Sequence, residues 1–226
     1  PTNTIHPATL SDLPAIANLV HASKQHLPIN HVLFKDWPNE AGQKPIYTAA
    51  VEGAFKNPDV ESFKVVDDAS GEVVGEFVLS RKKPGLKGNA DADADAGGTK
   101  GEGGDGTGGG VGGVQAPDGM VPELYHLIVK RCANLANVMK DTDHFEITHI
   151  FLIPSARKHG IGSRLIQMAK QRAKEAGVAL WVVAEPETRS FFDKMGFEEM
   201  DHADFDLTEW AAEKSGYGLF RLSGML

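Results

Sequence analysis

The stretch that decides the fold runs from Leu152 to Leu165 and reads LIPSARKHGIGSRL. Apolar residues within Phe145–Ile153 predict a central β-strand, and the run Ile161–Ala176, closed by Gly177, predicts a helix. A short loop with two glycines therefore joins a buried strand to a helix. The N–H groups of a helix's first turn have no partner within the helix, and the helix dipole adds positive charge there.

The residues of this loop favour the binding of an anion. Gly160 and Gly162 have no side chains that would block a close approach to the backbone amides. Arg157, Lys158 and Arg164 add positive charge around the same turn. The pattern predicts a site for a pyrophosphate group.

The loop sequence also has three other interpretations. A tight strand-to-helix connection without a ligand would also use two glycines. A nucleoside triphosphate site is disfavoured because no Gly-Lys-Ser/Thr follows, and a dinucleotide site is disfavoured because Leu165 stands where a third glycine is needed.

Gly101–Gly106 matches the letters G-x-G-x-x-G, and Asp91–Glu102 has the spacing of a calcium loop, but no predicted helix or strand flanks either one and both are interpreted as chance.

Two motifs together resemble the GNAT superfamily of acyltransferases. Arg157–Gly162 matches the family's Arg/Gln-x-x-Gly-x-Gly/Ala signature, and Phe191–Phe197, FFDKMGF, is similar to its later Leu-Tyr-Glu-Lys-Leu-Gly-Phe run. The turn at Pro186-Glu187 is similar to eukaryotic, fungal-type members. The resemblance covers residues 144–200 closely and the N-terminal half only in its order of elements.

This resemblance implies an α+β fold, in which a mixed sheet splayed in its middle is flanked by helices. It also implies an enzyme that transfers an acetyl group from acetyl-CoA directly to a primary amine, without a covalent enzyme intermediate. The amine could belong to a small molecule or to a protein. The residues expected to bind coenzyme A are Leu152, Ile153, Arg157, Lys158, His159, Gly160, Ile161, Gly162, Ser163, Glu185, Arg189 and Phe192.

Two positions depart from the family pattern. Glu185 stands where many members have Asn, and Phe192 replaces a tyrosine often proposed to protonate the leaving thiolate. Either the thiolate leaves without an acid, or another group protonates it, or catalysis is weak. A non-catalytic acyl-CoA-binding or regulatory protein on the same fold is therefore the alternative function.

A candidate general base precedes the loop. Glu146 lies eleven residues before Arg157, the spacing that a strand glutamate has in the histone acetyltransferase branch of the family. Alternation puts Glu146, Thr148, Ile150 and Leu152 on one face of the strand and His149 on the other. We therefore expect Glu146, with Thr148 beside it, to be catalytic and His149 to be the weaker candidate. A solvated carboxylate at the strand's start is the alternative.

The remaining elements follow from periodicity and turn residues. The predicted helices and strands are a strand at Thr4–Ala8, a helix from Leu13 capped by Ser11-Asp12, a helix within Pro45–Lys56, a hairpin of Ser62–Asp67 with Val73–Leu79, a helix at Pro122–Lys140 with Leu124, Leu127, Ile128, Leu135, Val138 and Met139 on its buried face, a strand at Val178–Ala184, a helix at Arg189–Met195, and a strand at Tyr217–Leu222.

One segment stands apart in composition. Pro84–Gly119 has 14 glycines among 36 residues and carries half of the chain's net charge of −8. Such a segment buries too little apolar surface to offset the entropy of ordering it, so it is predicted to be a flexible insertion within a single domain of residues 1–226.

The amino-acid composition bears on the partners and the cellular location of the protein. The negative net charge argues against nucleic acid as a partner, and no apolar run is long enough to span a membrane. Cys132, the single cysteine, cannot form an intrachain disulfide and is expected to be packed, and Pro1–Leu10 lacks the pattern of a secretory signal. We expect a cytoplasmic protein, with the nucleus possible as a second location. The nine histidines show no metal-ligand spacing, so no metal is predicted.

Overall fold

The computed structural model describes residues 2–84 and 115–226. Within them lie the strands β1 (Asn3–Pro7), β2 (Val60–Asp67), β3 (Val73–Lys82), β4 (His144–Leu152), β5 (Ala179–Ala184), β6 (Glu199–Asp206) and β7 (Leu219–Met225). The helices are α1 (Leu13–Lys24), α2 (Pro28–Leu33), α3 (Glu40–Lys56), α4 (Pro122–Ala136), α5 (Ile161–Ala176) and α6 (Pro186–Lys194). None of these helices is long and apolar enough to cross a membrane.

The strands form one mixed sheet in the order β1-β2-β3-β4-β5-β7-β6. Only β4 and β5 run parallel, and helix α5 connects them. Their pairing covers just His144–Ile147 against Ala179–Val182, so the two strands separate beyond that point. The mixed, centrally splayed sheet predicted from the family resemblance is confirmed.

Helices cover both faces of the sheet. On one face, α5 packs against β4 and β5, and α6 packs against β5 and β7, around a core that includes Phe77, Leu165 and Phe192. On the other, α1, α3 and α4 form a second core around Leu33 and Leu124, and a third core surrounds Trp181. The first face is called the α5 side below, and the second the α1 side.

A β-bulge in β4 changes which side chains share a face. Ile147 pairs with Leu79 and His149 with Val78, so Thr148 is an extra residue that the backbone register with β3 skips. The expected alternation is therefore wrong. Ile150 and Leu152 pack into the core of the α5 side, and His149 moves to the α1 side together with Glu146.

Most predicted elements are confirmed, some with shifted ends. Helix α5 has the predicted bounds, with Gly177 in the left-handed conformation at its C-terminus (φ 65°). Helix α1 begins at Leu13 with Asp12 as its N-cap residue, as predicted, and a 3-10 turn at Leu10–Asp12 precedes it. The Asp12 side chain accepts a hydrogen bond from Thr9 N–H (Oδ2, 2.8 Å) instead of from an amide of α1. Helix α3 begins at Glu40, where Asn39 accepts a hydrogen bond from Gly42, so the prediction missed its first turn.

Three details were not anticipated. Helix α2 and strand β6 have no counterpart among the predicted elements. Val138 is 40% exposed, because α4 ends at Ala136 and gives way to a 3-10 turn, so its predicted place on the buried face is wrong.

The predicted insertion lies mostly outside the described residues, which resume at residue 115. Its described end is packed. Gly119 O accepts a hydrogen bond from Lys35 N–H (2.8 Å), Ala116 packs against the core of the α1 side, and the adjacent Met120 is buried in a bridge with Phe34. Folded structure therefore begins before Gly119.

Candidate active site

The loop between β4 and α5 has the backbone geometry expected of an anion site. After a 3-10 turn at Pro154–Ala156, Lys158 and Gly160 adopt positive φ values of 64° and 77°. The first hydrogen bond into the helix is donated by Arg164 N–H to Gly160 O (3.0 Å). The amides of residues 161–163 are therefore left for an acceptor outside the helix. Residues 157–160 and Ser163 are exposed, so a ligand can reach this turn.

Glycine fits the two positions of the loop for different structural reasons. A Cβ atom on Gly160 would meet nothing within 4 Å, so the space beside it is open, and its positive φ favours glycine. A Cβ on Gly162 would lie 3.2 Å from the ring of Phe191. A side chain at Gly162 would press on Phe191 where α5 packs against α6, whereas Gly160 leaves room for an approaching group.

The basic side chains around the loop are partly tied to the protein. Arg157 Nε donates to Leu152 O (2.8 Å), and its guanidinium lies 5.4 Å from the ring centre of Phe151. Arg164 donates to Asn3 O (3.1 Å) on β1. These bonds hold two positive charges beside the helix N-terminus. Lys158 and His159 are exposed there.

Glu146 lies where the pairing of β4 with β5 is about to end. It pairs with Ser80 on β3 and Trp181 on β5, and its side chain is 19% exposed on the α1 side. Burial raises the pKa of the Glu146 carboxyl above its ordinary value, and Lys82 Nζ, 3.7 Å from Oε2, opposes that rise. Thr148, at the bulge, has its hydroxyl 2.7 Å from that of the buried Ser80.

His149 is joined to two other polar side chains on the α1 side. Its Nδ1 lies 2.7 Å from Glu76 Oε1, and its Nε2 lies 3.1 Å from Ser23 Oγ. Glu76, in the middle of β3, is 1% exposed. The structure therefore places His149 beside the predicted catalytic residues, contrary to the prediction that it points away from them.

An ion pair crosses the opening between β4 and β5. Lys24, at the end of α1, reaches Glu185, directly after β5, with Nζ 3.0 Å from Oε1. The Lys24 side chain is 5% exposed and that of Glu185 is 27% exposed. The neighbouring Ser23 contacts β4 through His149, so the end of α1 spans both strands.

The last two predicted cofactor residues lie on α6. Arg189 Nη1 is 3.1 Å from Glu199 Oε2 on β6. Phe192 is 1% exposed and packs between Phe191 and Phe197, with ring centres 5.3 and 5.4 Å away. Phe192 is a core residue of the α5 side and offers no hydroxyl where the family pattern has tyrosine.

Sequence reasoning missed Ser23, Lys24 and Glu76. They come from α1 and β3, far along the chain from the motifs, so no spacing links them to the loop. Glu76 did give one signal: it is a charged residue in the apolar run VVGEFVL at Val73–Leu79. A buried carboxylate requires a partner, and here that partner is His149.

Comparisons with known proteins agree with this geometry. Residues 123–199 match the family model of the acetyltransferase (GNAT) domain. The fold resembles arylalkylamine N-acetyltransferase 2 from Aedes aegypti (TM-score 0.64, 12% identity, 100% of this chain and 98% of that one). It also resembles a polyamine N-acetyltransferase from Drosophila melanogaster (0.60, 11%, 99% and 98%) and a mosquito arylalkylamine N-acetyltransferase-like 5b (0.60, 14%, 99% and 98%).

No curated protein sequence matches the chain. The class of protein defined by the sheet, the loop and these comparisons is a GNAT-fold protein. Residues 123–199, which contain both sequence motifs, are the part of the chain that matches the GNAT acetyltransferase model.

Proposed function

We propose that the protein is an N-acetyltransferase that moves an acetyl group from acetyl-CoA to a primary amine by direct attack. The observation that carries the proposal is the position of the β4–α5 loop. Its free helix amides lie at the end of a strand that separates from β5 and so leaves an opening in the sheet. An anionic carrier held at the loop can extend its acyl group toward that opening.

The residues of the loop fit the coenzyme. The amides from Arg157 to Ser163 would hold the pyrophosphate, with Gly160 open to its approach and Arg157 and Lys158 adding charge. Leu152 and Ile153, at the end of β4, would lie along the pantetheine arm. Glu185 and Arg189 would contribute only after loosening their ion pairs, and Phe192 would contribute packing. Acetyl-CoA supplies an activated thioester.

Glu146 is the proposed general base, acting through a water. A lysine-like amine has a pKa of about 10.4, so generating its neutral form at pH 7 costs about 4–5 kcal/mol. Burial raises the pKa of the Glu146 carboxyl, which brings it closer to that of the amine and makes it a better proton acceptor once ionised. Lys82 keeps the carboxylate form accessible. Thr148, at the bulge, is proposed to help position the water.

A non-catalytic acyl-CoA-binding protein is the second candidate. Two observations favour it: Phe192 provides no acid for the leaving thiolate, and the ion pair of Lys24 with Glu185 lies at the opening. The two candidates differ in turnover, since both would bind the coenzyme.

The test has two stages. Isothermal calorimetry with acetyl-CoA first establishes binding, and a panel of arylalkylamines, polyamines and lysine peptides is then assayed for release of free thiol. We expect binding, followed by amine-dependent thiol release with at least one class of amine. Binding without thiol release across the panel would favour the regulatory candidate, and absence of binding would contradict both.

A further inference from the structure

Three side chains on the α1 side form a linear polar chain that the acetyltransferase mechanism does not use. Ser23 Oγ, His149 and Glu76 are joined by contacts of 3.1 Å to Nε2 and 2.7 Å to Nδ1. The hydroxyl, the two ring nitrogens and the carboxylate therefore stand in the order that activates a serine nucleophile. We call these residues the Ser23–His149–Glu76 chain.

Glu76 fixes the roles of the two ring nitrogens. Its carboxylate is buried, and Oε1 lies 2.7 Å from His149 Nδ1, an ion-pair distance without hydrogen-bond geometry; among the described residues neither carboxylate oxygen accepts a hydrogen bond. A buried carboxylate in that position favours a proton on the facing Nδ1 of His149. In the neutral imidazole, Nε2 is then the acceptor, and it faces Ser23.

Ser23 can turn its proton toward His149 without moving its oxygen. The hydroxyl oxygen also lies 2.7 Å from Val20 O, the carbonyl of the preceding helical turn. Both acceptors are within hydrogen-bonding reach of the same oxygen position, so rotation about the Cβ–Oγ bond exchanges one for the other. Ser23 is half-buried, so a small ester can reach it.

The Ser23–His149–Glu76 chain adjoins the proposed acyl-transfer site. The bulge at Thr148 brings His149 to the face that carries Glu146, and both lie next to the opening between β4 and β5. Lys24, the residue after Ser23, places a positive charge in that opening. An acyl group delivered for transfer to an amine would therefore meet a hydroxyl activated by a histidine.

We propose that Ser23 is a nucleophile, and that the protein hydrolyses activated acetyl esters and thioesters through an acetyl-Ser23 intermediate when no amine is bound. Ser23 Oγ forms a bond to the acetyl carbon as its proton passes to His149 Nε2. The bond to the leaving alcohol or thiol breaks, and that group takes the proton. Water then adds to the ester with His149 as base, which releases acetate and restores Ser23. The hydrolysis of acetyl-CoA rests on the proposed function, whereas the hydrolysis of simple esters is independent of it.

The experiment labels the full-length protein with a fluorophosphonate and locates the adduct by peptide mass spectrometry. We expect one adduct, on Ser23, and slow release of nitrophenol from p-nitrophenyl acetate. Ser23→Ala should remove the adduct and lower nitrophenol release at least tenfold, whereas Ser215→Ala, an exposed serine elsewhere, should change neither. His149→Gln and Glu76→Gln should slow labelling at least tenfold.

Ser23→Cys keeps a nucleophile at the same position and should retain nitrophenol release, which separates lost chemistry from lost structure. Each variant is checked by thermal unfolding. Absence of a Ser23 adduct on folded protein, or wild-type ester hydrolysis by Ser23→Ala, would overturn the proposal. If the protein acetylates amines but forms no Ser23 adduct, the proposed nucleophile is wrong and the proposed function stands. If Ser23 is labelled but acetyl-CoA does not bind, the proposed function is wrong and the proposed nucleophile stands.

Discussion

The β4–α5 loop and the α1 side of β4 differ in how their residues are brought together. The loop is contiguous, and its glycines and basic residues occur within Arg157–Arg164. The α1 side takes Ser23 from a helix, Glu76 from the adjacent strand and His149 from β4. The loop can therefore be identified from a motif, whereas the chemistry of the α1 side depends on strand register. We therefore expect mutations to affect the proposed cofactor binding and the proposed proton transfer separately.

The largest expected effect is on proton transfer. Glu146→Gln keeps the shape of the side chain and removes the base, so we expect kcat/KM for the best amine to fall about 10²–10⁴-fold with acetyl-CoA affinity retained. The exposed Glu72→Gln is the matched control. A fall in kcat/KM of less than about threefold would show that Glu146 is not the general base. Loss of acetyl-CoA binding would show that the two regions are coupled.

The raised pKa of Glu146 also predicts a stability effect. Burial disfavours the charged form in the folded protein, so the group stabilises the fold fully below its unfolded pKa of about 4.5 and less as pH rises through the higher folded value. Glu146→Gln removes this dependence. Urea unfolding should therefore show the variant gaining stability relative to wild type as pH is raised from 4 to 7, and a constant difference would contradict the assigned shift.

The next effect concerns the loop alone. Gly160→Asp adds a negative charge in the open space beside the helix amides, and we expect acetyl-CoA affinity to fall about tenfold to a hundredfold. Gly160→Asn has nearly the same shape, tolerates positive φ and carries no charge, so its affinity should change less than the aspartate variant's. The affinity of both variants for acetyl-CoA is measured by calorimetry. Equal losses of affinity would show that backbone strain at position 160, rather than repulsion of a bound anion, weakens binding.

A smaller effect is expected at the ion pair that joins the end of α1 to the residue after β5, Lys24 with Glu185. Glu185→Gln removes the carboxylate charge beside a buried ammonium, whereas Lys24→Met leaves a carboxylate that is partly solvated. Urea unfolding should show a loss of about 2 kcal/mol for the first and about 1 kcal/mol for the second. The reverse order would mean that the aliphatic stem of Lys24, rather than the charge pair, stabilises this end of α1.

The smallest effect is predicted for the glycine-rich segment. Replacing residues 86–113 with a short Gly/Ser link should change the free energy of unfolding by no more than about 1 kcal/mol, because the cost of loop closure grows slowly with length. Extending the replacement through Gly119 should cost more, since it removes Ala116 from the core and the Lys35–Gly119 hydrogen bond. Equal stability of the two deletions would show that these contacts contribute little.

The sequence predicted the loop and α5 because each depends on local rules. Gly177 ends the helix through its left-handed backbone, and the signature glycines mark its start. It predicted the face of His149 wrongly because alternation assumes that a strand has no bulge, and the extra residue at Thr148 becomes visible only against the register of β3. Ser23 and Glu76 could not be assigned for the same reason, since their partner was placed on the opposite face.

The bulge at Thr148 has a consequence for how this strand tolerates change in length. Side-chain direction along a strand depends only on whether a position is odd or even, so one inserted residue exchanges inward and outward positions for everything after it. Deleting Thr148 would remove the bulge and leave the pairing of His149 with Val78 and of Ile150 with Phe77 unchanged, whereas deleting a residue elsewhere in β4 would exchange the two sides. In this strand the number of residues, as much as their identity, determines which side chains line the opening.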